Sequence, residues 1–467
     1  MKALKTYKMS GAEVLPLVEG GKGVAISNGL TAGSWAKAGG IGTFSCVNPD
    51  SYDAQGHFIP QIYHGKTRSE RFEELKTYAI QGGIEQARIA HETRAGNGRV
   101  HMNVLWEAGG TVPILHGVLS EVGDLIHGVT CGAGMPYKVA EIAAQYGVNY
   151  YPIVSSGRAF SALWKRSYKN FPELLGGVVY EDPWRAGGHN GLSNAEDPNV
   201  PQDPYGRVLE LRKVMRACGG LDDTPIIMAG GVWFLRDWAD WIDNAELGPI
   251  AFQFGTRPLL TQESPIMAAW KDRLLHLKED DVVLQAFSPT GFYSSAVKNK
   301  FLEGLIARSE RQVEYRSKPG EAPFTAELPL GPRGRPVYLK PDDLPKAQGW
   351  MAAGFSEGMK TPDSTLVFET PEKSKKILQS QAECMCCLSQ CRFSNWADNA
   401  EGTTGKRADP RSFCIQKALQ LAAHGGDLDQ SLMFAGHNAY MFALDPFYAN
   451  GFIPTVQQLV ERIQTGD

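Results

Sequence analysis

The stretch TPIIMAGGVWFLRDWADWIDNAELGPIAFQFGT, residues 224–256, decides the fold. Pro225–Ala229 and Pro249–Phe254 are nearly continuous apolar runs, as expected of strands buried on both faces of a parallel sheet. Each run ends in a glycine step, and the helical pattern Leu235–Asn244 lies between them. Working outward, similar β-branched runs occur at Val24–Ser27, Ile41–Ser45, Arg99–Leu105, Asp124–Thr130, Asn149–Val154 and Gly177–Glu181. Helical patterns separate several of them: Thr67–Thr93, Pro136–Tyr146, Phe160–Tyr168 and Tyr205–Ala217. Eight strands alternating with helices predict an α/β fold, a closed (β/α)8 TIM barrel, with an open doubly wound sheet as the alternative.

The composition suits a core-forming chain. Of 467 residues, 43% are hydrophobic and 21% charged, which excludes wholesale disorder. Lys plus Arg is 47 and Asp plus Glu 51, giving a net charge of −4 and no basic face for a nucleic acid. No apolar run reaches the roughly 18 residues of a membrane span. MKALKTYKMSGAEV lacks the apolar core of a secretory signal, so a cytoplasmic location is expected.

Beyond the barrel, seven prolines fall between Pro319 and Pro345, where an extended arm is expected because proline lacks the amide donor. Helical patterns return at Pro371–Gln381, Ile415–Ala423 and Thr455–Gln464. The expected organisation is a barrel over 1–304, a Pro-rich arm or insertion over 305–360, and a mainly helical extension over 361–467 that carries a cysteine cluster and packs back on the barrel.

The glycines at strand ends are the first functional signal. Gly230-Gly231 and Gly255-Thr256 follow consecutive strands, where barrels commonly hold a phosphate. Glycine lets the backbone approach an anion, and the Thr256 hydroxyl adds a donor. Tight turns alone would need the same glycines. Arg185-Ala186-Gly187-Gly188-His189-Asn190-Gly191 follows another buried strand. A histidine there faces the barrel mouth, and a near-neutral pKa would suit proton transfer. His57, His64, His276 and His424 read as structural.

Together these residues resemble the nitronate monooxygenases, formerly 2-nitropropane dioxygenases, which are FMN-dependent (β/α)8 enzymes related to flavin-dependent enoyl-acyl-carrier-protein reductases. The resemblance runs from Gly20-Gly21-Lys22-Gly23 and SNGLTAGSWAKAGGIGTFS through His101-Met102-Asn103, TCGAGMP, AGGHNG, AGGV and QFGTRPLLTQES. It returns in SPTGFYSSAVKNKF and LMFAGHNAYM. It implies FMN, with the phosphate at Gly230, Gly231, Gly255 and Thr256, and with Gly21, Lys22, Asn103 and Gln253 also at the flavin. It implies His189 as a base or hydrogen-bond donor over the flavin. Lys22 stands where the family usually has methionine, so it either stabilises a reduced flavin or points to solvent. Arg185 stands where many members carry an acid, and Trp184 either walls the pocket or packs. A more cationic mouth suits an anionic substrate.

The largest departure is Cys384-Met385-Cys386-Cys387-Leu388-Ser389-Gln390-Cys391, followed by Cys414. Cys384, Cys387, Cys391 and Cys414 give C-x2-C, C-x3-C and one distant thiol, a pattern for a [4Fe–4S] cluster, with zinc as the alternative. Redox disulfides or a thiol-rich loop would leave the same pattern. Cys46 and Cys131 either face the flavin or fill core space.

The expected function is an FMN-dependent oxidoreductase that oxidises a nitronate, nitroalkane or similar small anion with O2. An NAD(P)H-dependent enoyl-thioester reductase is the alternative, and a metal-containing RNA- or protein-partner module is the reading from another class. Lys373, Lys375 and Lys376 are the only support for that last reading and suit a solvated helix face. The sequence does not fix the oligomeric state.

Overall fold

A computed structural model describes residues 3–320, 322–331, 333–388, 391–394 and 408–467. Eight parallel strands close a barrel in chain order: β1 Leu17–Glu19, β2 Ile41–Ser45, β3 Arg99–Leu105, β4 Gly128–Gly132, β5 Asn149–Val154, β6 Val178–Glu181, β7 Ile226–Ala229 and β8 Ile250–Phe254. Closure comes where β8 pairs with β1, Phe252 opposite Leu17. The closed barrel replaces the open-sheet alternative.

One strand differs from expectation. Val24–Ser27 is turn, with Ala25 left-handed at φ 61°, and the three-residue β1 just before Gly20 takes its place. Helix α1, Gly29–Lys37, follows that turn, capped by the Asn28 side chain on the Thr31 amide at 2.9 Å. Its Gly29 and Gly33 lie against the long helix α2, Arg68–Thr93, where a Cβ would approach the Gln86 and Ala90 carbonyls within 2.6 Å. Thr67 and Glu70 close a capping box at the start of α2.

Inside the barrel, inward-facing residues alternate along the strands. Val18, Ile41, Tyr151, Val179, Ile227, Ala229 and Ala251 form one inner cluster. The outer helices bury Trp35, Leu115, Phe160, Leu211 and Leu459 against the outer barrel face.

The Pro-rich segment is not an extended arm. Ala326–Leu330 and Arg335–Leu339 pair as an antiparallel hairpin, with Leu344–Ala352 helical behind it. They pack against the separate sheet of Gln312–Glu314, Thr365–Glu369 and Glu357–Lys360 around Tyr315, Leu328, Leu339, Leu366 and Phe368. Pro329 and Pro336 face each other in a two-stranded hairpin, where missing amide donors are tolerated. Helices Pro371–Ala382, Ile415–His424 and Val456–Gln464 match the expected extension, of which residues 389–390 and 395–407 lie outside the described residues. Among the described residues no helix is long and apolar enough to cross a membrane.

Candidate active site

The loops after the strands line a cavity at the barrel mouth. Gly21, Lys22, Asn103, His189, Gly230, Gly231, Gln253, Gly255 and Thr256 all line it. The topology explains this convergence, since parallel strands put every carboxyl end at one face.

One end of the cavity is built from backbone. Gly230 and Gly231 are left-handed at φ 95° and 78°, and a Cβ on Gly230 would meet the Ala186 amide at 2.9 Å. A Cβ on Gly255 would enter open space, so this backbone faces the cavity directly. Thr256 Oγ1 accepts from the Gly436 amide at 2.9 Å, which leaves its O–H free to donate to a ligand. The Asn438 side chain donates to the Gly231 carbonyl at 2.6 Å and fixes that turn. At the other end, Gly21 passes so close to Asn103 that a Cβ would lie 2.4 Å from it. These open glycine turns, one free hydroxyl and the polar tips of Asn103 and Gln253 fit an FMN phosphate and ring.

His189 sits in a small antiparallel sheet with Val282–Gln285 and Ser294–Val297, paired with Ser294. Its Nε2 shares a 2.6 Å hydrogen bond with Ser288, whose hydroxyl is 2.8 Å from Thr290. Phe434 packs beside the ring, with centroids 5.6 Å apart. Burial pushes the imidazole down to about 4, so it is neutral at pH 7. The near-neutral pKa expected from sequence is therefore corrected: desolvation removes it.

Lys22 neither points to solvent nor stands as a free cation. Its Nζ lies 2.5 Å from Glu19 Oε1 and 3.3 Å from the Gly20 carbonyl, with both side chains buried. Arg185 also lines the cavity, its stem beside Gly231, and forms no ion pair among the described residues. Trp184 packs instead: its indole donates to the Asp197 carbonyl at 2.9 Å, under the Arg207 guanidinium. Cys46 and Cys131 are buried core thiols outside the cavity lining, and burial pushes Cys46 up to about 12. His424 is held by Asp50 at 2.6 Å and stacks on Phe58, a structural role.

Sequence reasoning missed three contributions. Glu181, at the end of β6, lines the cavity, and its carboxyl makes no side-chain hydrogen bond among the described residues. Burial, then the neighbouring Asp182 charge, push its carboxyl up to about 8. The Ser288–Thr290 pair behind His189 was quoted only as part of a motif. The extension supplies an apolar wall of Leu388, Ile415, Leu419 and Phe434.

The five clustered cysteines line a second, much smaller cavity, and every cysteine of the chain is a free thiol. Among the described residues, no three His, Cys, Asp or Glu side chains are arranged to hold a metal ion. Neither the expected [4Fe–4S] cluster nor the zinc alternative is shown by the described residues.

A sequence model of the nitronate monooxygenase family matches residues 127–465, more than half of the chain. The chain belongs to the nitronate monooxygenase family. Membership makes it an FMN-dependent oxidoreductase. Among solved structures, the enoyl reductase domain of MlnA from Bacillus amyloliquefaciens has 11% identity and a TM-score of 0.54, covering 97% of this chain and 93% of its own. FabK from Thermotoga maritima has 15% identity and a TM-score of 0.48, covering 97% and 92%. A nitroalkane oxidase from Streptomyces ansochromogenes has 18% identity and a TM-score of 0.42, covering 62% and 78%. At these identities the MlnA likeness shows the fold alone. No curated protein matches the chain significantly.

Proposed function

We propose that this member of the nitronate monooxygenase family oxidises a small nitronate with O2, on FMN held by Gly230, Gly231, Gly255 and Thr256. The observation that carries this reading is the pairing in one cavity of a neutral His189 with Arg185, a cation that forms no salt bridge among the described residues, although Asp182 lies within its field. Arg185 attracts an anion. His189 offers a single ring N–H, and Ser288 and Thr290 fix the imidazole plane. A nitronate arrives already deprotonated, so it needs a hydrogen bond more than a base. A group pushed down to about 4 is a poor base for a neutral nitroalkane. Leu388, Ile415, Leu419 and Phe434 exclude water from the same space. Bound FMN supplies the electron acceptance; the residues orient substrate against it.

The same apolar wall favours a second reading, reduction of an enoyl thioester with NAD(P)H. Anaerobic mixing of the FMN-loaded protein with propyl-2-nitronate, NADH or NADPH separates the two. Bleaching of the flavin by the nitronate supports the first reading. Bleaching by a nicotinamide alone, with the nitronate inert, replaces it by the second. His189→Ala should retain FMN and lose about 2–12-fold in kcat/KM for nitronates, the worth of one hydrogen bond of about 0.5–1.5 kcal/mol.

A further inference from the structure

We infer that Cys384, Cys387, Cys391 and Cys414 ligate one polynuclear iron–sulfur cluster, of the [4Fe–4S] type, in the small cavity beside the flavin pocket. Among the described residues the lining of that cavity is soft and apolar: five cysteines with Met385, Phe393 and Ile415, two serines and no carboxylate or histidine. Thiolates alone in an apolar shell select iron–sulfur clusters or other thiophilic metals.

Cys384, Cys387 and Cys391 come from one chain segment and Cys414 from another, yet all four line this one cavity. Cys386 lines the same cavity but is the spare by the C-x2-C-x3-C spacing; it is left-handed at φ 63°, and its thiol turns back to the Cys384 carbonyl at 4.0 Å.

Ligation releases the four thiol protons. Arg68 beside Cys384 and Lys417 beside Cys414 lie where they offset the resulting negative charge.

The site also bears on the flavin pocket. Ile415 lines both cavities, and Leu388 and Gln416, close to Cys387 and Cys414 in the chain, line the flavin cavity. Leu388 bridges to Ala108 after β3. A cluster here holds the outer wall of the flavin pocket in place.

The test is iron, sulfide and zinc analysis of the full chain purified anaerobically, and again after reconstitution with ferrous iron and sulfide. About four irons and four sulfides per chain are expected, with an electron paramagnetic resonance signal after dithionite reduction. Cys384→Ser and Cys391→Ser should each lose at least tenfold in bound iron, while Cys386→Ser keeps it. FMN content, read on the same samples, reports whether each variant folds and is independent of the iron result. Stoichiometric zinc without sulfide, no iron after reconstitution of wild type, or loss of iron from Cys386→Ser alone would overturn the inference.

Discussion

The flavin cavity and the cysteine cavity share Ile415, yet they are built by opposite means. The first is made largely of backbone: strand ends of a closed barrel, with glycines at Gly21, Gly230, Gly231 and Gly255. The second is made of side chains carried by Cys384–Cys391 and Cys414, outside any barrel strand. A site made of backbone is set by topology and fails when an atom is added. A site made of side chains is set by spacing and fails when an atom is exchanged.

The largest expected effect breaks the first cavity by adding atoms. Gly230→Val forces a β-branched residue into φ 95°, with its Cβ 2.9 Å from the Ala186 amide. A non-glycine residue in that conformation costs about 1–3 kcal/mol, and the side chain also closes the phosphate approach. The purified variant should be colourless while still folding, as read by flavin absorbance and circular dichroism. Retention of stoichiometric FMN would move the phosphate elsewhere. The cysteine cavity should be unaffected, so the iron content of this variant should match wild type.

The same contrast explains what was legible in the sequence. Seven of the eight barrel strands lie within or overlap the apolar runs read from it, because a strand buried on both faces leaves a continuous signal. The eighth, Leu17–Glu19, has only three residues, and the β-branched run after it drew the assignment into a turn. The Pro-rich hairpin was missed because Pro329 and Pro336 sit on a two-stranded ladder that tolerates them. Glu181 was missed for another reason: a charge at a strand end looks solvated. The available signal was the two-residue period, since inward Val179 puts Glu181 on the cavity side, as inward Ala251 puts Gln253 there. The burial that shifts His189 and Glu181 comes from chain segments distant in sequence, so no local pattern carries it.

A smaller effect concerns the one side-chain pair that the flavin cavity does contain. Lys22 and Glu19 are both buried, and Glu19 Oε2 also accepts from the Thr43 amide at 3.4 Å. Lys22→Met, the usual family residue, leaves a buried carboxylate without its cation, and such a loss costs about 3–5 kcal/mol. The double variant with Glu19→Gln should recover most of that stability, measured by denaturant unfolding. If Lys22→Met is as stable as wild type, the pair is not what holds β1 to the loop after it.

The smallest effect is confined to alkaline pH and falls on Glu181. Its carboxyl is pushed up to about 8, first by burial and then by Asp182, so below that pH it faces the cavity as a neutral acid. Above it, a negative charge appears in a pocket proposed to hold an anionic substrate and a phosphate. Wild-type kcat/KM for a nitronate should therefore fall above about pH 8, by up to tenfold per pH unit. Glu181→Gln keeps the shape of the neutral acid and cannot ionise. Its profile should stay flat where the wild type falls, with the two within about twofold near pH 7. Stability follows the same sign. Between the ordinary value of 4.5 and about 8 the folded carboxyl holds a proton that the unfolded chain has lost, so stability declines as pH rises through that window. Glu181→Gln should remove that decline in FMN-free protein, where no flavin or substrate ionisation contributes. A falling limb that survives the substitution would assign the ionisation to another group in the cavity and leave Glu181 as a packing residue.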